Sequence, residues 1–380
     1  MSSDIIPFSR AWSAPHELDY LREALAGGQT AGDAVFTQRC HRWLEQHIGC
    51  QRAFLTPSCT AALEMAALLL RIQPGDEVIV PSFTFVSTAS AFALFGARLI
   101  FADITPDTLT LDMAQVESLI TPRTKAVIFV AYAGITPDPA PMVALCRERG
   151  VAFVEDAAHA LMAKFNGRPV GSFGCMATLS FHESKNFSCG EGGALLVNDP
   201  SLTARAEILR EKGTNRAAHL RREIAKYSWV DLGSSYLSSD LCAAALLAQL
   251  EDAEAIQSRR LQLWNQYHAG LSAWAANQGI ALPTVPEGCE HPGHLFYIIF
   301  KTNAQREAAI AWLDQAGIKA YFHYLPLHLS DAGSRLGSAV LGCPVTESVS
   351  ERLLRLPLYP SLTEDQQSRI IERLVHLPVV

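Results

Sequence analysis

Two residues of this 380-residue chain are placed to do chemistry: Lys185 in "SFHESKNFSCGEGGALLVND" (180–199) and Asp156 in "VAFVEDAAHA" (151–160). Lys185 stands between a strand-like run and a glycine-rich one, away from any charged helix face. Read alone, it is a loop lysine at the tip of a hairpin. As a buried amine it would lose its proton more easily and could form an imine with a carbonyl compound. Asp156 closes an apolar strand-like run, at the edge where open α/β sheets bind ligands. By itself it would serve equally well as a helix N-cap. Together, a lysine for an aldehyde and an acid for a protonated ring nitrogen are what pyridoxal phosphate requires of a protein.

Further residues extend that reading. "TPSCTAALEMAALLL" (56–70) places turn residues and hydroxyls at the start of an apolar helix, whose free amides and positive dipole end suit a phosphate. An ordinary capped helix would look the same. Ser180 could add a hydroxyl from the strand before Lys185. Phe85, at the end of "PSFTF", could stack on a flat ring or simply belong to the core.

These residues need a scaffold that brings them together. "EVIVPSFTF" (77–85), "RLIFAD" (98–103), "AVIFVAYAG" (126–134) and "VAFVEDAAHA" read as strands covered on both faces, because their apolar character is nearly continuous. Helical stretches at 58–72, 111–120 and 139–149 alternate with them, which predicts an α/β fold with a mostly parallel, doubly wound sheet. "CMATLSFH" and "GGALLVND" lie too close for a crossover helix and are expected to pair directly. A helical stretch over 239–277 links to a smaller α+β unit. That unit has a strand at 294–300 and helices near 304–316 and 363–375. Pro283, Pro286, Gly288 and Pro292 mark a linker at the junction. The expected domains are 1–255, with the cofactor site, and 256–380.

Composition narrows the class. Apolar residues make up 49% and the formal net charge is -7, so neither nucleic acid nor an anionic membrane is the expected partner. Nine cysteines without C-x-x-C pairs suit a reducing compartment and give no sign of a metal site. No signal peptide or membrane span is read, and the expected location is the cytoplasm.

The quoted stretches, with "PGDEVIVPSFTFVSTASA" and "FHYLPLH", resemble the nucleotide-sugar aminotransferases across nearly the whole chain. The resemblance implies the fold of type I pyridoxal-phosphate enzymes, with a large mostly parallel domain and a small C-terminal α+β domain. It implies Lys185 as the imine-forming lysine and Asp156 as partner of the ring nitrogen, with His159 beside the ring. Cys59, Thr60 and Ser180 would hold the phosphate and Phe85 would cover the ring. "REKGTNR" (210–216) and "DLGSSYLSSD" (231–240) are similar to the subgroup that moves an amino group from L-glutamate to C4 of a dTDP-4-oxo-6-deoxyhexose, giving dTDP-4-amino-4,6-dideoxygalactose.

Where many relatives carry an Asn that reaches the neighbouring subunit's cofactor, this chain has Ser235, and "VAYAG" places Ala131 where a histidine is common. A homodimer with shared active sites is implied. His182, three residues before Lys185, and His328 are candidate substrate contacts, although packed histidines would read alike. Arg216 and Lys226 could border the site, with a solvated role equally open. The alternatives are another nucleotide sugar, C3 regiochemistry, or a catalytically silent cofactor-binding regulator.

Overall fold

The computed structural model describes residues 5–378. Eight strands form the main sheet, in the spatial order Arg52–Thr56, Gly193–Val197, Met176–Ser180, Ala152–Asp156, Thr124–Val130, Glu77–Pro81, Arg98–Ala102 and Gly337–Ser338. Only Gly193–Val197 runs against the others; its two pairings are antiparallel and the remaining ones parallel. The mostly parallel α/β architecture expected from the alternating pattern is therefore present. The central strands are buried along nearly their whole length, because helices cover both faces.

Several elements are shorter than their apolar runs suggest. The 77–85 run stops being a strand at Pro81, and 126–134 stops at Val130. In the second case Ala133 and Gly134 take positive φ (59° and 77°), which turns the chain away from the sheet. Phe85 is thus not a strand residue; it lies in the turn before helix Ser87–Ala93 and is 57% exposed. The 239–277 stretch is two helices, Asp240–Glu251 and Ala253–Gln278, broken at Asp252.

A third core lies under the C-terminal unit. It joins Leu263, Trp264 and Tyr267 of the long helix to Phe296, Ile298, Leu354 and Leu356 of a two-stranded sheet. Packing crosses the 255/256 line at both ends of the chain. Ile6 bridges to Ile318 and joins this third core, while Gly337–Ser338 completes the edge of the large sheet. The proline-rich junction is docked as well: Cys289–Glu290 pairs with Lys164–Phe165. A Cβ on Gly134 would come within 2.2 Å of the Pro292 ring. That close packing, which composition does not reveal, makes the segment part of the body rather than a free linker.

Candidate active site

The sheet places its functional residues by register. Thr56 and Ser180 flank Gly193 on either side, and Asp156 pairs with both Val130 and Thr178. Asp156, Ser180 and Val130 therefore end neighbouring strands at one edge, where they line a cavity of about 460 Å³. Helix Cys59–Leu69 starts at the same edge. Its run of Ala, Leu, Met and Glu favours helix, and the Ser58 hydroxyl caps it by accepting from the Ala61 N–H at 3.1 Å. The amides of Cys59 and Thr60 precede the first intrahelical bond, so they are free for an anion. The Thr60 hydroxyl meets Ser87 Oγ at 2.7 Å.

Gly193 explains part of the glycine-rich stretch. A Cβ there would lie 2.3–2.5 Å from the backbone of Ser58 and Cys59. The absent side chain lets the antiparallel strand press directly on the helix start, leaving the pocket side of that start open. Gly190, at φ 85°, makes the turn that returns the chain.

Lys185 sits in the loop between the two antiparallel strands, its N–H donating to the His182 carbonyl at 2.9 Å. Burial lowers its ammonium to about 8, with Asp156 opposing the shift and the Arg355 guanidinium favouring it. The Cys59 thiol beside it is pushed up by burial and stays uncharged at neutral pH. Asp156 is 5% exposed. It accepts from Thr88 Oγ1 at 2.7 Å and from the Ala158 N–H at 3.2 Å, and Thr84 in turn meets Thr88 at 2.8 Å. Burial raises its carboxyl above the usual range, while Thr88, Ala158 and Lys185 pull it down. A cation facing it would hold it ionised.

His159 is buried at the same edge. Its Nδ1 accepts from the Ala133 N–H at 3.4 Å, and burial, Lys185 and Arg355 keep the ring neutral. Pyridoxal phosphate fits this donor set: helix-start amides and hydroxyls for a phosphate, a carboxylate for a ring nitrogen, and an amine of lowered pKa for an aldehyde.

The cavity gathers Cys59, Thr60, Phe85, Asp156, His159, Ser180, His182 and Lys185. It does not gather Ser235 or His328. Ser235 is exposed, and its backbone bridges Glu211 outside the cavity. His328 is tied elsewhere, its Nδ1 2.6 Å from Ser82 Oγ and its Nε2 3.1 Å from Glu347. Because Ser82 Oγ also accepts the His328 N–H, its hydroxyl proton goes to Nδ1 and Nε2–H faces the carboxylate. This histidine clamps helix Pro344–Arg352 to the end of strand Glu77–Pro81. His328→Ala should cost about 1–3 kcal/mol of stability, measured by denaturant unfolding, and leave the KM of both substrates within about threefold.

His323, carried with His328 by "FHYLPLH" and open to a core or a substrate-side role from sequence, lines the cavity, as do Arg355, His294 and Tyr324, which the sequence reading did not single out. Arg355 lies within strand Leu353–Leu356 of the small unit, far from Lys185 in sequence. It donates to the Phe322 carbonyl at 2.9 Å, but its buried Nε has no partner, and no carboxylate pairs with it among the described residues. Its one sequence signal is a lone arginine in the otherwise apolar "LLRLPL".

Residues 13–375 match the model of the DegT/DnrJ/EryC1/StrS aminotransferase family. The chain belongs to this family of sugar aminotransferases. The aminotransferase TlmJ from Streptoalloteichus hindustanus is similar over 97% of this chain and 98% of its own, with 30% identity and a TM-score of 0.89. DesV from S. venezuelae, solved with a ketimine intermediate, shares 30% identity over 98% of each chain at a TM-score of 0.88. Spr1654 from Streptococcus pneumoniae has been solved in a PLP form (27% identity, 98% of each chain, TM-score 0.89) and in a PMP form. Pyridoxal phosphate is the cofactor of the family. Among the described residues no helix is long and apolar enough to cross a membrane.

Proposed function

We propose that the chain transfers the amino group of L-glutamate to C4 of a dTDP-4-oxo-6-deoxyhexose, giving dTDP-4-amino-4,6-dideoxygalactose, as a cytoplasmic homodimer with shared active sites. The observation that carries a transaminase reading is the half-buried Lys185 beside buried Asp156 in one cavity with an arginine that lacks a carboxylate among the described residues. The sugar and the nucleotide rest on "REKGTNR" and "DLGSSYLSSD".

Bound pyridoxal phosphate supplies an aldehyde that captures the amino group and a ring that takes up the electron pair left at carbon. The protein's share is binding and proton transfer. The amides of Cys59 and Thr60 with the Ser180 hydroxyl hold the phosphate. Asp156 would hold the ring nitrogen protonated, Phe85 would cover the ring, and His159 would stand beside it. Displaced Lys185 would carry a proton on Nζ from the donor's Cα to the cofactor in the first half-reaction, and from the cofactor to the sugar's C4 in the second. His182, whose Nδ1 meets Ser184 Oγ at 2.9 Å and whose Nε2 lies 3.7 Å from Glu191, contacts the sugar from the rim. Ser235 serves the neighbouring subunit's cofactor.

Arg355 receives the carboxylate of the donor through its unpartnered edge. Arg355→Gln should therefore raise the KM for glutamate about 10²-fold, with a much smaller change for the sugar; steady-state kinetics with each substrate varied separate the two. The function itself is tested by adding dTDP-4-oxo-6-deoxyglucose and glutamate and determining the product by NMR. A 4-amino-4,6-dideoxygalactose product supports the assignment. A C3 amine, a gluco product, or turnover only with another nucleotide sugar replaces it. Absence of any half-reaction with glutamate leaves a cofactor-binding regulator.

A further inference from the structure

Asn186, next to Lys185, is 7% exposed and spends its whole side chain on one segment of the distant chain. Its Nδ2 donates to the Pro292 carbonyl at 3.0 Å, and its Oδ1 meets His294 Nδ1 at 2.8 Å. Since the amide nitrogen is committed to a carbonyl, Oδ1 is the acceptor and the imidazole proton sits on Nδ1. His294, 8% exposed, then stacks on His159 with ring centroids 4.2 Å apart and planes inclined by 26°.

The 292–294 segment is itself immobilised from two other sides. Arg260, buried on helix Ala253–Gln278, donates to the carbonyls of Gly293 (3.1 Å), His294 (2.6 Å) and Leu358 (3.2 Å). With no carboxylate among the described residues to offset its burial, its guanidinium falls to about 9. Gly134 lies flush against the Pro292 ring, as described above. One contact path thus runs from Lys185 through Asn186 and His294 to the ring of His159. A buried amide–imidazole pair is a costly way merely to fill space, because an apolar pair of that size would leave no polar group to satisfy.

We propose that Asn186 and His294 are positioning residues that hold the Lys185 amine in register with His159, by fastening the lysine loop to the start of the C-terminal unit. The inference rests on the transaminase reading and extends it to two residues without a cofactor role. If the pair is cut, the loop loosens and water reaches the amine. The groups acting on Lys185 are Asp156, Cys59, Arg355, His159, His294 and His323. All three imidazoles are neutral, so replacing His294 removes no charge. The effect to expect is the loss of desolvation, which raises the amine pKa.

The test follows the rate at which added pyridoxal phosphate is captured by Lys185, as absorbance against pH, in the full-length protein. The parent should show a midpoint near 8. His294→Phe keeps the stacked ring and volume but loses Nδ1–H, and Asn186→Ala loses the acceptor. Each should move the midpoint up by about one unit and lower kcat about 10- to 100-fold with KM within about threefold. The double variant should do little more than either single one. His294→Asn, which restores a donor at the Nδ1 position, should recover most of the midpoint. Thermal melts establish that each variant is folded. Folded variants that titrate like the parent overturn the proposal alone, and so does His294→Asn behaving like His294→Phe. A parent that never captures the cofactor overturns the transaminase reading and this inference with it.

Discussion

Lys185→Ala is expected to bind pyridoxal phosphate only non-covalently and to lose transamination by roughly 10⁴-fold in kcat, since both the covalent capture and the proton shuttle depend on one nitrogen. The structure gives the effect a pH signature. Burial lowers the ammonium to about 8, so the neutral amine grows as pH rises and predominates above that point. An exposed lysine would be mostly protonated until much higher pH. Capture of the cofactor by the parent should therefore accelerate from pH 7 to 9, whereas the variant should show no pH-dependent capture at all. Borohydride reduction followed by mass spectrometry reads the covalent link directly. Full activity in the variant, or a reduced adduct at another lysine, would refute the role given to Lys185.

Asp156→Asn should reduce kcat by about 10²–10³-fold while leaving cofactor binding within about tenfold. The amide preserves the volume and can still accept from Thr88, but it cannot hold a neighbouring ring nitrogen in its charged form. Stability should move the other way in the cofactor-free protein. Burial raises the Asp156 carboxyl above its ordinary value, so in that state the folded protein favours the protonated form. That stability is present below the ordinary carboxylate range and fades as pH rises through the raised value. At pH 7 the asparagine variant should thus melt no lower than the parent without cofactor, and lower than the parent with it. A variant that melts well below the parent in both states would mean that Asp156 serves mainly as a structural cap.

What the sequence disclosed follows from which contacts are local. The alternation of buried runs with helices made the sheet legible, and Ser58 before an Ala- and Leu-rich run marked the helix start. Lys185 and Asp156 were legible as a pair because one cofactor demands both residue types. The limits of the strands were not. The strands end at Pro81 and Val130 while apolar character continues, the second just before Ala133 and Gly134 turn the chain with positive φ. The surroundings of His328 were not legible for a similar reason. A histidine in "HYLPLH" looks the same whether it faces a ligand or, as here, links Ser82 to Glu347 across two units. Arg355 and His294 reach the cavity only through the docking of the C-terminal unit, which no spacing near Lys185 encodes.

The lone antiparallel strand carries a consequence for how the protein matures. Thr56 and Ser180 come together only by pairing with Gly193, so the anion cradle and the lysine loop share one ladder built from distant parts of the chain. The Thr56–Gly193 half of that ladder is non-local and carries the loop-closure cost of joining distant segments. Until that pairing forms, the anion cradle is incomplete. Once bound, the cofactor stabilises the folded form by mass action over the whole cooperative unit. Vitamin B6 supply should therefore set how much of this protein survives proteolysis in the cell, as well as how much of it is active.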